Sequence, residues 1–134
     1  MDYTVIEDTA AIPATDLGEL DSVPYDNVIR QLDAALALEN LRLKLWTFEP
    51  GDEVAYHAHL TQEEVYHALE GSFELELGAP GETEVRKVEA GAWWAAKPQV
   101  GHGHRCVGEE PGVVVALAAP AVDDEAADPE EFVE

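Results

Sequence analysis

A chain of 134 residues is the usual length of one domain and can bury a core without disulfide staples. Apolar residues make up 46%, which excludes wholesale disorder, and a net charge of −22 excludes nucleic acid and anionic membranes as partners. Cys106 is the only cysteine, so no internal disulfide can form and a reducing, cytoplasmic setting is expected.

The charge comes from 29 Asp and Glu against 7 Lys and Arg, spread along the whole chain. A spread of this kind suits the solvated acidic coat of a halophilic protein better than a docking patch for a basic partner. At molar salt the Debye length falls to about 3 Å, so repulsion between surface carboxylates fades. No Lys or Arg precedes Arg30 and no long apolar run follows Met1, so a secretory signal is not expected. No stretch reaches the length of a membrane span.

In chain order, residues 1–40 form an N-terminal arm. Its first 25 residues mix a short apolar run, Tyr3 to Ile6, with Pro13, Pro24 and acids, and suit an irregular segment offering one edge strand. Residues 28–40 read two ways: Leu32, Ala35 and Leu36 fit a short helix, whereas Val28 to Leu32 fit a strand. From Leu41 the pattern turns to β, with Leu41, Leu43 and Leu45 alternating with Arg42 and Lys44. Strand-like runs then recur over residues 54–59, 65–69, 73–77, 85–88, 92–96, 102–107 and 113–118, separated by Gly- and Pro-bearing turns. Many short strands at this spacing predict an all-β sandwich or barrel over residues 41–120. Residues 121–134 read as an acidic tail, frayed from Asp123 onward.

All five histidines lie between positions 57 and 104. His57 and His59 stand two apart, so on a strand they share a face with Cα atoms roughly 6.6 Å apart and can converge on one ion. Glu64 follows after a short turn and begins the neighbouring strand, close enough to add a carboxylate oxygen. A further imidazole comes from Gly101-His102-Gly103-His104, where the glycines permit close backbone approach. Three imidazoles and one carboxylate leave two positions of an octahedral ion open for water, dioxygen or a chelating substrate.

These residues resemble the first motif of the cupin superfamily, G-x5-H-x-H-x4-E-x6-G, which Gly51, His57, His59, Glu64 and Gly71 satisfy at every step. Nineteen residues separate Gly71 from Gly91, where the second motif, G-x5-P-x-G-x2-H-x3-N, would begin. Counted without gaps, His102 takes the ligand position, Cys106 stands where Asn is expected, and Pro98 is displaced by one. Anchoring on Gly101 instead selects His104. The ungapped register is the better one, because Gly108-Glu109-Glu110-Pro111 then falls at the turn usual for the family. The resemblance covers residues 41–118. It implies a conical β-barrel (a double-stranded β-helix or jelly roll) holding one divalent ion, Fe, Mn, Ni or Zn, on His57, His59, Glu64 and His102. It also implies work on a small polar metabolite, with dioxygenase-type chemistry placed slightly ahead of isomerase or decarboxylase chemistry. The alternative is a non-catalytic cupin that binds a metal or small ligand as sensor, carrier or accessory protein.

His104 and Tyr66, which share a face with His102 and Glu64 respectively, are candidate proton shuttles. Glu63 points opposite to Glu64 and is the fallback ligand, while His67 faces away from the site. Cys106 reads as a small buried hydrophobe rather than a nucleophile. Trp93 and Trp94 are adjacent, so one faces inward. The other faces out and predicts a homodimer interface.

Overall fold

A computed structural model describes residues 3–17 and 27–133. Among these residues, ten strands and one α-helical turn follow in order: β1 (Ala14–Asp16), β2 (Val28–Gln31), α1 (Leu32–Ala35), β3 (Arg42–Phe48), β4 (Glu53–His57), β5 (Glu63–Glu70), β6 (Ser72–Leu77), β7 (Glu84–Glu89), β8 (Trp93–Ala96), β9 (His102–Val107) and β10 (Gly112–Ala119). One sheet has six strands in the order β1-β2-β3-β10-β5-β8, the other four in the order β4-β9-β6-β7. Every pairing is antiparallel.

Period-two alternation decides what lies between the sheets. Phe48, Tyr66, Ala68, Phe73, Leu75, Trp94, Cys106 and Val114 are buried together, each on the face of its strand that meets the opposite sheet. Phe48 and Phe73 meet edge to face with ring centroids 5.2 Å apart, a favoured aromatic geometry. The Cys106 thiol lies fully buried in this core, with Sγ 3.6 Å from the Glu110 carbonyl. Gly71, with φ of 85°, closes the β5–β6 turn against β10. A Cβ there would stand 2.7 Å from the Gly112 Cα, so no other residue fits the crossing.

Both readings of residues 28–40 hold in part, because β2 runs into the single turn of α1 at Leu32. Asp33 binds that turn to β3: its carboxylate accepts from the Leu43 N–H and from Lys44 Nζ, each at 3.2 Å. The arm adds β1 as well as β2 at the sheet edge, while Tyr3 and Val5 stay exposed. The expectation of an irregular segment falls in part on residues 18–26, outside the described residues.

The C-terminal segment differs from the expected frayed tail. Ala127 bridges Ala58 in both directions, with N···O distances of 2.9 and 2.8 Å, and Pro129 is buried at the start of a 3-10 turn (Pro129–Phe132). Acid-rich composition argues for solvation, but these contacts are main-chain hydrogen bonds, to which composition is blind.

Candidate metal centre

His57 faces inward because β4 carries a bulge. Val54 pairs with His104 but His57 pairs with His102, one residue out of regular register. Strict alternation from Val54 would have turned Tyr56 inward and His57 out. The extra residue exchanges them, and Tyr56 instead donates its hydroxyl to the Gly78 carbonyl. Gly103 makes room for this crossing: a Cβ there would stand 2.8 Å from the Tyr56 backbone nitrogen. Glu64 and Tyr66 face inward from β5 by plain alternation, and His102 from β9.

The inward groups converge on one carboxylate oxygen. Glu64 Oε1 lies 2.8 Å from His59 Nε2, 3.1 Å from His102 Nε2 and 3.7 Å from His57 Nε2. Ligand atoms of His57, Glu64 and His102 all fall within 4.8 Å of one another. Tyr66 donates its hydroxyl to Glu64 Oε2 at 2.6 Å and stands 3.1 Å from His102 Nε2.

The opposite ring nitrogens fix which nitrogen faces the centre. Nδ1 of His57, His59 and His102 lies 2.7, 2.6 and 2.9 Å from the carbonyls of Ala55, Asp124 and Val100. A carbonyl only accepts, so each Nδ1 carries a proton and each ring turns its Nε2 inward, the nitrogen that would serve as a ligand atom. Three ring nitrogens gathered round one carboxylate oxygen are held together best by a cation or by protons between them, and His57, Glu64 and His102 form the mutually close set with His59 reaching it through Glu64. This donor set fits a divalent metal, with carbonyls orienting each imidazole from behind.

Burial is the largest influence on Glu64 and would raise its carboxyl pKa. The neighbouring His102, His57, His59 and Tyr66 outweigh it and hold the group far below the usual carboxylate range. Burial likewise works to lower the His59 pKa, but Glu64 and Asp124 outweigh it and raise the net value. Asp124 was missed by sequence reasoning. Its carboxylate accepts from the N–H groups of Leu60, Thr61 and Gln62 at 3.0, 2.6 and 2.7 Å, besides the bond from His59 to its carbonyl. The available signal was an aspartate within an acid-rich tail, indistinguishable by type from its neighbours.

The centre opens onto a cavity of about 580 Å³, lined by Trp46, Val54, His57, His59, Glu64 and Tyr66 among others. His104 is not part of its lining. The ring lies among Phe48, Tyr66, Trp94 and Phe73 with centroids 5.0 to 6.2 Å away, and neither nitrogen has a hydrogen-bond partner. Burial, then the nearby His102 and His57, push its pKa down to about 3, so it is a neutral core residue. Glu63 points outward and pairs with Lys97 at 2.6 Å. His67 also faces out, stacked on Trp93 with centroids 3.8 Å apart. Trp94 is buried and Trp93 exposed.

In the ungapped register the second motif's inner glycine falls on Gln99. That residue holds the left-handed φ of 71° that the glycine would supply, and its N–H reaches the His59 carbonyl at 2.6 Å.

The comparisons with known proteins agree with this geometry. Residues 44–118 match the model of the Cupin domain family. A sugar phosphate isomerase of the cupin superfamily from Silicibacter pomeroyi superposes with a TM-score of 0.68 at 17% identity, covering 85% of this chain and 74% of that one. An RmlC-like cupin from Shewanella frigidimarina gives 0.67 at 20%, covering 99% and 100%. A predicted oxalate decarboxylase from Thermotoga maritima gives 0.71 at 15%, covering 87% and 99%. At these identities the likeness speaks for the fold alone. Among curated protein sequences, none matches this chain. The family match spans more than half of the sequence and reaches from β3 into β10, and the chain belongs to the cupin family.

Proposed function

We propose that the protein is a metal-dependent cupin enzyme acting on a small polar metabolite, with His57, His59, Glu64 and His102 as ligands of one divalent ion. The observation that carries this reading is the convergence of three Nε2 atoms on one carboxylate oxygen, each imidazole fixed from behind by a carbonyl. A bound Fe, Mn, Ni or Zn ion would supply Lewis-acid or redox chemistry to a chelating substrate. Tyr66 holds a proton between Glu64 and His102 and is the group placed to give or take one at the substrate. Trp46, Val54 and Ala116 give the cavity apolar walls that limit water around the reacting atoms.

Dioxygenase-type chemistry is the first to assay. The structural neighbours described as a sugar phosphate isomerase and a predicted oxalate decarboxylase support the other two reactions as the next. The rival reading, a non-catalytic cupin acting as sensor, carrier or accessory protein, draws support from His104. Its enclosure removes one of two candidate proton shuttles from the cavity. Oxygen uptake by the iron-loaded protein with diols, thiols and keto acids separates the two, since silence across metals and substrates favours binding alone.

Elemental analysis of protein purified in high salt without chelator tests the centre itself. We expect near-stoichiometric metal in the wild type and its loss in His57→Ala. A folded wild-type protein that takes up none of the four ions on addition would overturn the reading.

We also propose a cytoplasmic homodimer. The outer face of the six-stranded sheet presents Leu45, Val65, Leu69, Val115 and Trp93, with no acid along the middle of β3, β10, β5 or β8. Two copies that each carry −22 can approach with least repulsion there.

A further inference from the structure

Cations are scarce in this chain, at 7 Lys and Arg in all, and where they stand is informative. Arg86, Lys97 and Arg105 pair with glutamates on exposed strand surfaces. Arg42 and Lys44 lie elsewhere. Phe48 is fully buried and Trp46 packs against the core, so alternation along β3 carries Lys44 and Arg42 to the same interior side. Both line the cavity into which His57, His59 and Glu64 open, and they are its only Lys or Arg.

Arg42 is held loosely, and Lys44 by a single carboxylate. Arg42 Nη2 reaches the Val122 carbonyl at 3.3 Å and the fully exposed Asp123 carboxylate at 3.6 Å, contacts that solvent screens. Lys44 Nζ has Asp33 at 3.2 Å. A guanidinium carries five N–H donors and an ammonium three, so each retains donors for a ligand. The acids at the mouth are otherwise placed: Asp123 and Glu125 are exposed, and the Asp124 carboxylate is engaged by three backbone N–H groups.

We infer that the cavity takes a small anion, a metabolite bearing a carboxylate or phosphate group, anchored by Arg42 and Lys44 while its chelating end meets the histidine–glutamate centre. This deepens the enzymatic reading above and rests on it for the role of that centre, but the anchor itself does not require the metal. One wall of the cavity supplies charge-assisted donors, and Trp46, Val54 and Ala116 add apolar stretches, so a neutral analogue of equal size would forfeit the strongest contacts.

Calorimetric titration of inorganic phosphate and of malonate at fixed KCl, against glycerol as the neutral control, tests the anchor. It is run on metal-loaded and on chelator-treated protein. We expect at least one anion to bind and glycerol not to. Arg42→Gln and Lys44→Gln should each weaken binding about tenfold, the size of effect usual for losing one charged hydrogen bond. The double variant should abolish measurable binding, with metal content unchanged and the fold retained by circular dichroism. Whichever anion binds tells the carboxylate source from the phosphate source. Asp123→Asn, which removes only an exposed competitor, should tighten binding severalfold. Equal binding of glycerol, no binding of either anion, affinity indifferent to the double variant, or no gain from Asp123→Asn would each overturn the anchor. Loss of anion binding in the Arg42 and Lys44 variants of a protein that never takes up metal would keep the anchor and sink the metal centre. Full metal occupancy without anion preference would do the reverse.

Discussion

His102 and His104 stand two residues apart on the same face of one strand, yet their surroundings give them opposite chemistry. His102 has a carbonyl behind Nδ1 and a carboxylate before Nε2, while His104 has aromatic rings on its sides and no polar partner. A buried donor or acceptor without a partner costs about 1–3 kcal/mol. Replacing His104 by leucine should therefore leave stability unchanged or raise it by about 1 kcal/mol, with metal content intact, as thermal melting and elemental analysis would read. If metal were lost in His104→Leu, this histidine would belong among the ligands. The family motif marked His57, His59 and Glu64 in the sequence, but strand period did not place them: β4 ends at His57, which a bulge turns inward, and β5 lies in the opposite sheet rather than beside β4 as expected. Which of His102 and His104 meets the cluster was legible only through register. Depth along the barrel axis, which finally separates them, is a property of the closed sheet and leaves no mark on a single strand.

At the scale of elements, the strands were legible and their irregularities were not. Eight runs of alternating residues became β3 to β10 with shifts of a few residues at their ends. The β4 bulge escaped because it is a relation between β4 and β9, 45 or more positions apart in the chain. The C-terminal strap escaped for the same reason. Asp124 fastens residues 60–62 with its carboxylate and orients His59 with its carbonyl, so it is a positioning residue for the centre. Asp124→Ala should lower metal affinity about tenfold, the lower end of what loss of an outer partner typically costs. Competition with a chromogenic chelator would measure it. A merely structural role for Asp124 would lower the melting temperature and leave that affinity alone. No helix among the described residues is long and apolar enough to cross a membrane.

At the scale of the molecule, charge and shape act together. With 29 acids against 7 bases, self-repulsion opposes the compact state wherever salt does not screen it. Screening shortens from about 10 Å at 0.1 M to about 3 Å at 1 M, so the melting temperature should climb steeply between low and molar KCl. A melting temperature indifferent to KCl would remove the halophilic reading. The same salt should favour pairing through the sheet face that has no acid along its middle. Trp93, 68% exposed and stacked on His67, sits on that face as its largest apolar group. Trp93→Glu should weaken self-association about a hundredfold or more, as loss of an interface anchor typically does. Sedimentation at molar KCl would show monomers where the wild type gives dimers. A wild type that sediments as a monomer at every concentration would leave that face without a partner copy.

Cys106 carries a consequence beyond packing. Its thiol is wholly enclosed, and burial, followed by the charges of Asp52 and Glu49, raises its pKa, so neither access nor ionisation favours reaction in the closed barrel. As the only sulfhydryl of the chain, it makes the molecule its own stopwatch. Where trapping outpaces reclosing, an alkylating dye would colour each copy at the rate at which the sheets part, timing the opening of the barrel without any label having been introduced.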